Sequence, residues 1–166
     1  MSKKIWPCIF IFLFSMNINS YGDIPVATIE ESSLPFAYSP NNFSNSPNNF
    51  DNSVNNFDNS PSNYDNSESN YDNSCANFDN GLSGSRRIVY NNNGQLSIFG
   101  YYVSNSIGVT NFFSRKGKRM FYNPKAGVGL FGGYDGSFCG VLTQVNGKMT
   151  LVLTERGVKV LLLSNQ

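Results

Sequence analysis

Hydropathy divides the 166-residue chain into three regimes. Residues 5–16 form a mainly apolar run interrupted by Pro7 and Ser15, behind Lys3 and Lys4 and ahead of a polar, small-residue exit at 17–22. From Phe36 to Phe78 an aromatic returns every seventh position in a mostly polar stretch: Phe36, Phe43, Phe50, Phe57, Tyr64, Tyr71, Phe78. From Arg86 onward, runs rich in Val, Ile, Phe and Tyr are punctuated by Asn-Gly-type turns. The first pattern predicts a secretory leader, since about 20 apolar residues are needed to span a bilayer. The second predicts a turn-rich or disordered repeat, and the third antiparallel strands.

The heptad consensus is N-N-F-D-N-S-x, with x being Pro47, Val54, Pro61, Glu68 or Cys75. A coiled coil is excluded, because it needs two apolar positions per heptad and this repeat has one. Asn, Asp and Ser compete for backbone groups inside helices, and Pro47 and Pro61 would break one. The same residues favour Asx- and ST-turns, so each unit reads as one turn plus a short extended piece carrying a ring. A polar linker is one expectation; the regular ring is the argument for another, in which a partner surface covers the aromatics. Asp-Asn pairs at fixed spacing also offer oxygen to calcium, but no glycine supplies the sharp turn within a unit. Asn42-Phe43-Ser44 is a formal glycosylation sequon.

In the C-terminal part, turn centres are expected at 91–94, Lys116-Gly117, Asp135-Gly136, Asn146-Gly147 and Arg156-Gly157. Met149, Leu151 and Leu153 alternate with Thr150, Val152 and Thr154, and Val158, Val160 and Leu162 suggest a similar strand face. The expected fold is mainly β: a heptad-repeat arm, turn-rich or disordered, followed by a small antiparallel hairpin meander of about eight strands, an open barrel or sandwich, with no long helix. The expected boundaries are 1–22 leader, 23–33 linker, 34–84 repeat and 85–166 β domain. The cut is placed at Gly22-Asp23, giving a secreted or periplasmic protein with no transmembrane segment after cleavage.

Charge sharpens this division. Residues 5–85 hold nine acids and no Lys or Arg, whereas residues 86–166 hold ten basic residues against Asp135 and Glu155. The formal net charge of +1 is thus the near-cancellation of two opposite fields. The sharpest local cluster is "SRKGKR", with Arg115, Lys116, Lys118 and Arg119 on one hairpin tip. It is a solvated turn, an anion site for phosphate or lipopolysaccharide, or a seat for the acidic arm. Nucleic acid is the least expected partner, because the chain carries its own acidic competitor.

Cys75 and Cys139 remain after cleavage, and an exported pair sits where disulfides persist. A Cys75–Cys139 bridge would tie the arm to the β domain; a free thiol or an intermolecular bridge is the alternative. If Phe138 and Leu142 face the core, strand parity turns Cys139 outward toward Cys75; the opposite parity buries it.

The chain has no histidine, which removes the commonest general base and metal ligand and every Ser-His or Cys-His arrangement. Asp135 and Glu155 could form a glycosidase pair only if turn residues converge. No metal site, cofactor motif or catalytic residue is expected, and the protein reads as non-enzymatic.

The leader, the tandem "NNFDNSP/SNYDNSP"-type heptads and the tail with "GVTNFFSRKGKRMFYNP" together resemble uncharacterised small exported proteins of Gram-negative bacteria. That resemblance covers most of the chain and brings no assigned activity. The favoured expectation is an arm that docks on its own basic β domain by burying its rings; a homo-oligomer is the intermolecular version. One alternative has Phe43, Phe50, Phe57, Tyr64, Tyr71 and Phe78 stacking on envelope or surface glycans. The other is a plain surface spacer.

Overall fold

The computed structural model describes residues 22–81 and 84–166. The expected leader, residues 1–21, lies outside the described residues. Eight strands close into a barrel: β1 (Ile24–Thr28), β2 (Arg87–Asn92), β3 (Gln95–Ser104), β4 (Thr110–Ser114), β5 (Arg119–Asn123), β6 (Gly129–Gly132), β7 (Phe138–Val145) and β8 (Lys148–Leu153). Strands β2 to β8 run antiparallel in chain order, and β1 closes the gap by pairing parallel with both β2 and β8. Closure leaves no open sheet edge. Residues 23–33, expected to be a linker, therefore supply a barrel strand. The stretch looks too short and isolated in sequence because its partners lie more than sixty residues away, at Ile24↔Ile88 and Val26↔Leu151.

Hairpin chemistry sets most of the meander. Asn93 (φ 52°) and Gly94 (φ 84°) occupy the two left-handed positions between β2 and β3, as a tight two-residue turn requires. The alternation in β8 holds: Leu151 and Leu153 enter the barrel interior with Met149 packed against them, while Val152 faces outward. That interior is filled by Ile24, Ile88, Tyr102, Phe112, Phe121, Leu130, Leu142 and their neighbours.

Two expectations fail for stated reasons. Arg156-Gly157 is not a hairpin turn, and the last segment is a helix, α1 (Glu155–Leu163). Thr154 caps it by accepting from the Gly157 amide (3.4 Å), and the Glu155–Lys159 pair spans one turn at 3.3 Å. Leu161 enters the interior cluster with Val158 and Val160 packed beside it, so the helix seals the barrel rather than extending the sheet. The simple parity in β7 also fails. A register shift between Leu130 and Phe131 opposite β7 places Phe138 in the outer cluster and Leu142 in the inner one. Cys139 is buried inside the barrel.

Strands β4 and β5 are buried along their whole length. A strand hidden on both faces needs a second cover, and the heptad arm supplies it. Each unit is two consecutive i→i+3 turns. In one unit the Asn49 amide donates to the Ser46 carbonyl (3.1 Å), Asn52 to Asn49 (3.0 Å) and Ser53 to Phe50 (3.0 Å). Asn49 caps the 3-10 turn through the Asp51 amide (3.1 Å), and Ser46 Oγ accepts from the Asn48 amide (3.1 Å). The next rung is side-chain to backbone: Asn52 Nδ2 donates to the carbonyls of Ser44 (2.9 Å) and Ser46 (3.0 Å) in the preceding unit. Asn45, Asn59, Asn66, Asn73 and Asn80 repeat this bridge. The arm is thus an ordered spiral ribbon whose narrow interior holds carboxamides.

Candidate binding surface

The ribbon's core residue is the asparagine two places after each ring. Asn45, Asn52, Asn59, Asn66, Asn73 and Asn80 are each at most 4% exposed. Each spends both amide hydrogens on carbonyls of the previous unit, as a buried carboxamide must to offset its desolvation. Tyr38 takes the corresponding place in the first unit and packs into the outer apolar cluster with Leu34.

The barrel fixes the ribbon's register with donors spaced one unit apart. Tyr122 Oη donates to the Asn52 carbonyl (2.7 Å), Arg119 Nη2 to the Asn59 carbonyl (2.9 Å) and Tyr101 Oη to the Asn73 carbonyl (2.7 Å). Asn66 Oδ1 accepts from both Asn105 (2.8 Å) and Asn111 (2.9 Å). Three of the variable positions, Val54, Glu68 and Cys75, turn toward this interface. Val54 lies against Gly136 and the outer cluster, and Cys75 beside Gly117 and Tyr101. Glu68 accepts from the Arg119 amide (2.8 Å) and from the Tyr134 hydroxyl.

The rings point the other way. Phe36, Phe43, Phe50, Phe57, Tyr64, Tyr71 and Phe78 are 62–76% exposed. This corrects the expectation that the β domain covers them. The reason is steric as well as polar: an interior two turns wide admits a carboxamide that bonds two carbonyls, and a ring would break both bonds. The aromatics form one row on the ribbon's outer edge, with the exposed Asp51, Asp58, Asp65, Asp72 and Asp79 each following a ring. Among the described residues, no ion pair reaches these five carboxylates; the two pairs present are Arg87–Asp23 and Lys159–Glu155.

The basic cluster is divided. Arg115, Lys116 and Lys118 are exposed at the β4–β5 tip, whereas Arg119 is 2% exposed. Arg119 Nε donates to Asn111 Oδ1 (2.8 Å), Nη1 to the Gly133 carbonyl (2.9 Å), and the guanidinium lies 4.9 Å from the Tyr122 ring centre. Burial lowers its pKa to about 10. It is a structural peg and no part of an open anion site. Lys116 and Lys118 rim a groove with Met120, Tyr134, Val160 and Leu163, where Lys116 Nζ also meets the Gln166 backbone oxygen.

Cys75 is an exposed thiol on the arm and Cys139 a buried thiol in the barrel, so the expected bridge between them does not form. Burial pushes the Cys139 thiol up to about 11. Asp135 accepts from the Ser137 amide (3.0 Å) and hydroxyl (2.8 Å), while Glu155 is engaged by Lys159, so each is held by its own element. Among the described residues no helix is long and apolar enough to cross a membrane.

No family model, no curated protein and no solved structure matches this chain.

Proposed function

We propose that this is an exported, non-enzymatic binding protein whose ring row receives a linear glycan of the cell envelope or of a neighbouring surface. The observation that carries the reading is the exposure of all seven heptad aromatics on a ribbon held in register by the barrel. Large exposed apolar groups in a contiguous row mark interaction sites. An aromatic presents a flat apolar body, and Tyr adds a hydroxyl. Sugars of a chain offer matching apolar faces at regular intervals, and several shallow contacts on one rigid support multiply into useful avidity. The arm's docking on its own barrel is then the device that makes the row rigid, since a preorganised surface loses less entropy on binding.

The test is retention of the purified protein on immobilised peptidoglycan and on the phosphate-free polysaccharide of lipopolysaccharide. Replacing Phe50, Phe57, Tyr64 and Tyr71 with Ala should abolish retention while leaving the fold intact, because these rings are exposed. Retention unchanged in the quadruple variant would exclude the ring row.

A further inference from the structure

We infer that the glycan chain this surface takes is cationic: a polymer of amino sugars with free amines, read by alternating rings and carboxylates. The inference rests on the glycan reading above and adds the charge of the ligand.

Five consecutive units carry the same pair on the outer edge: Phe50-Asp51, Phe57-Asp58, Tyr64-Asp65, Tyr71-Asp72 and Phe78-Asp79. All ten side chains are exposed. The carboxylates have no structural task within the ribbon. Its hydrogen bonds use the Asp backbone, with the amide of Asp51 given to Asn49 and its carbonyl accepting from Asn59 Nδ2 (2.8 Å). The same holds for Asp58, Asp65 and Asp72. The arm carboxylate that does meet the barrel is Glu68, at the variable position. Docking therefore uses neutral oxygens of the ribbon, one buried guanidinium and the variable-position Glu68, and leaves the row of five aspartates to solvent.

Both partners in each pair attract the same thing. The face of an aromatic ring carries negative potential and draws cations, an effect worth about two- to fivefold in affinity per exposed contact. A carboxylate beside it adds direct attraction, and five in a line make an anionic strip that repels phosphorylated or sulfated chains. A neutral glycan would use the rings alone. A chain of glucosamine-like units uses both, since each residue offers an apolar face for the ring and an ammonium for the acid.

The experiment titrates the purified protein, by calorimetry, with three probes: a glucosamine hexamer, an N-acetylglucosamine hexamer of the same linkage, and polylysine of matched charge. The expected result is that the free amine hexamer binds at least tenfold tighter than the acetylated one at low salt. That margin should collapse near 1 M salt, where screening falls to about 3 Å. Asp51→Asn, Asp58→Asn, Asp65→Asn and Asp72→Asn together should remove the margin and leave acetylated binding unchanged, with an unaltered thermal melt. Equal binding of the two hexamers, or no effect of the Asn variant, overturns the inference and leaves the glycan reading standing. Binding of neither hexamer overturns the inference, and the glycan reading is then decided by the retention test on envelope polysaccharide above. Polylysine binding as tightly as the amine hexamer would make the strip a basic-peptide surface and overturn the sugar assignment.

Discussion

At the scale of single residues, the decisive side chain is Asn66. Its Nδ2 bonds the carbonyls of Asp58 (2.7 Å) and Ser60 (3.0 Å), while its Oδ1 takes donors from β-barrel residues Asn105 and Asn111. Truncation strands four partners, Asn111 buried and the other three part-buried, and a buried group left unmet costs about 1–3 kcal/mol. Asn66→Ala should therefore lower urea stability by about 3 kcal/mol or more, against less than about 0.5 kcal/mol for the exposed Phe57→Ala. The ring drew attention in the sequence because apolar groups usually go inside. The better signal was also legible: the aromatic drifts between Phe and Tyr, whereas the Asn before it and the Asn two after it never change from Asn42 to Asn80. Titration tests the same interface. Burial raises the hydroxyl pKa values of Tyr101 and Tyr122 above the ordinary 10, so above pH 10 the native state holds protons that the unfolded chain has lost. Their contribution is complete below pH 10 and falls as pH rises beyond it. Arg119, lowered by burial to about 10, works in the opposite sense between there and 12.5. With the hydroxyls of Tyr101, Tyr102, Tyr122 and Tyr134 and the Cys139 thiol all raised against one lowered arginine, urea midpoints should fall between about pH 9 and pH 11. Tyr101→Phe should flatten that slope.

At the scale of elements, turns and strands were readable because Asn-Gly and Lys-Gly pairs force local geometry. The last element was not, because Gly157 and the β-branched Val158 and Val160 imitate a strand. What decides for a helix is tertiary: a β-carbon at position 157 would stand 2.2 Å from the Cys139 carbonyl oxygen, so only glycine lets α1 seat on β7. Gly157→Ala should consequently destabilise by about 1–3 kcal/mol despite alanine's advantage of about 1 kcal/mol inside a helix, as a thermal melt would show. The bulge opposite Leu130 and Phe131 likewise hid the orientation of Cys139, since parity holds only in an unbroken strand. In native protein Cys75 should react with a thiol reagent and Cys139 should resist until unfolding, as peptide mapping would show. The ribbon behaves as one element with a fixed register. Deleting residues 54–60 removes the Val54 contact with Gly136 and the Asn59 carbonyl that Arg119 holds, and shifts the Tyr122 acceptor Asn52 by one unit relative to the Tyr101 acceptor Asn73. That deletion should cost several times what an exposed substitution costs, whereas a spacer would tolerate it.

At the scale of the whole molecule, the opposite charges of the two halves were plain in composition, but their use was not. The favoured expectation is docking by ring burial on a basic surface; the structure instead docks the ribbon by hydroxyl and guanidinium donors on backbone carbonyls and by carboxamide donors on Asn66 Oδ1, and turns five carboxylates outward. No sequence pattern announces that arrangement, because the partner donors come from β3, β4 and β5 and from the loop after β3. The consequence is a division of labour: a closed barrel whose outer face would otherwise be bare, and a ribbon that covers it while displaying rings. The central claim is that this ribbon is folded and its asparagines are inside. Amide hydrogen exchange across residues 41–80 tests it most directly. Slow exchange is expected at the turn amides of Asn45, Asn52, Asn59, Asn66 and Asn73, released together with the barrel strands. Exchange at these amides as fast as in an unfolded peptide, while the barrel stays protected, would contradict it.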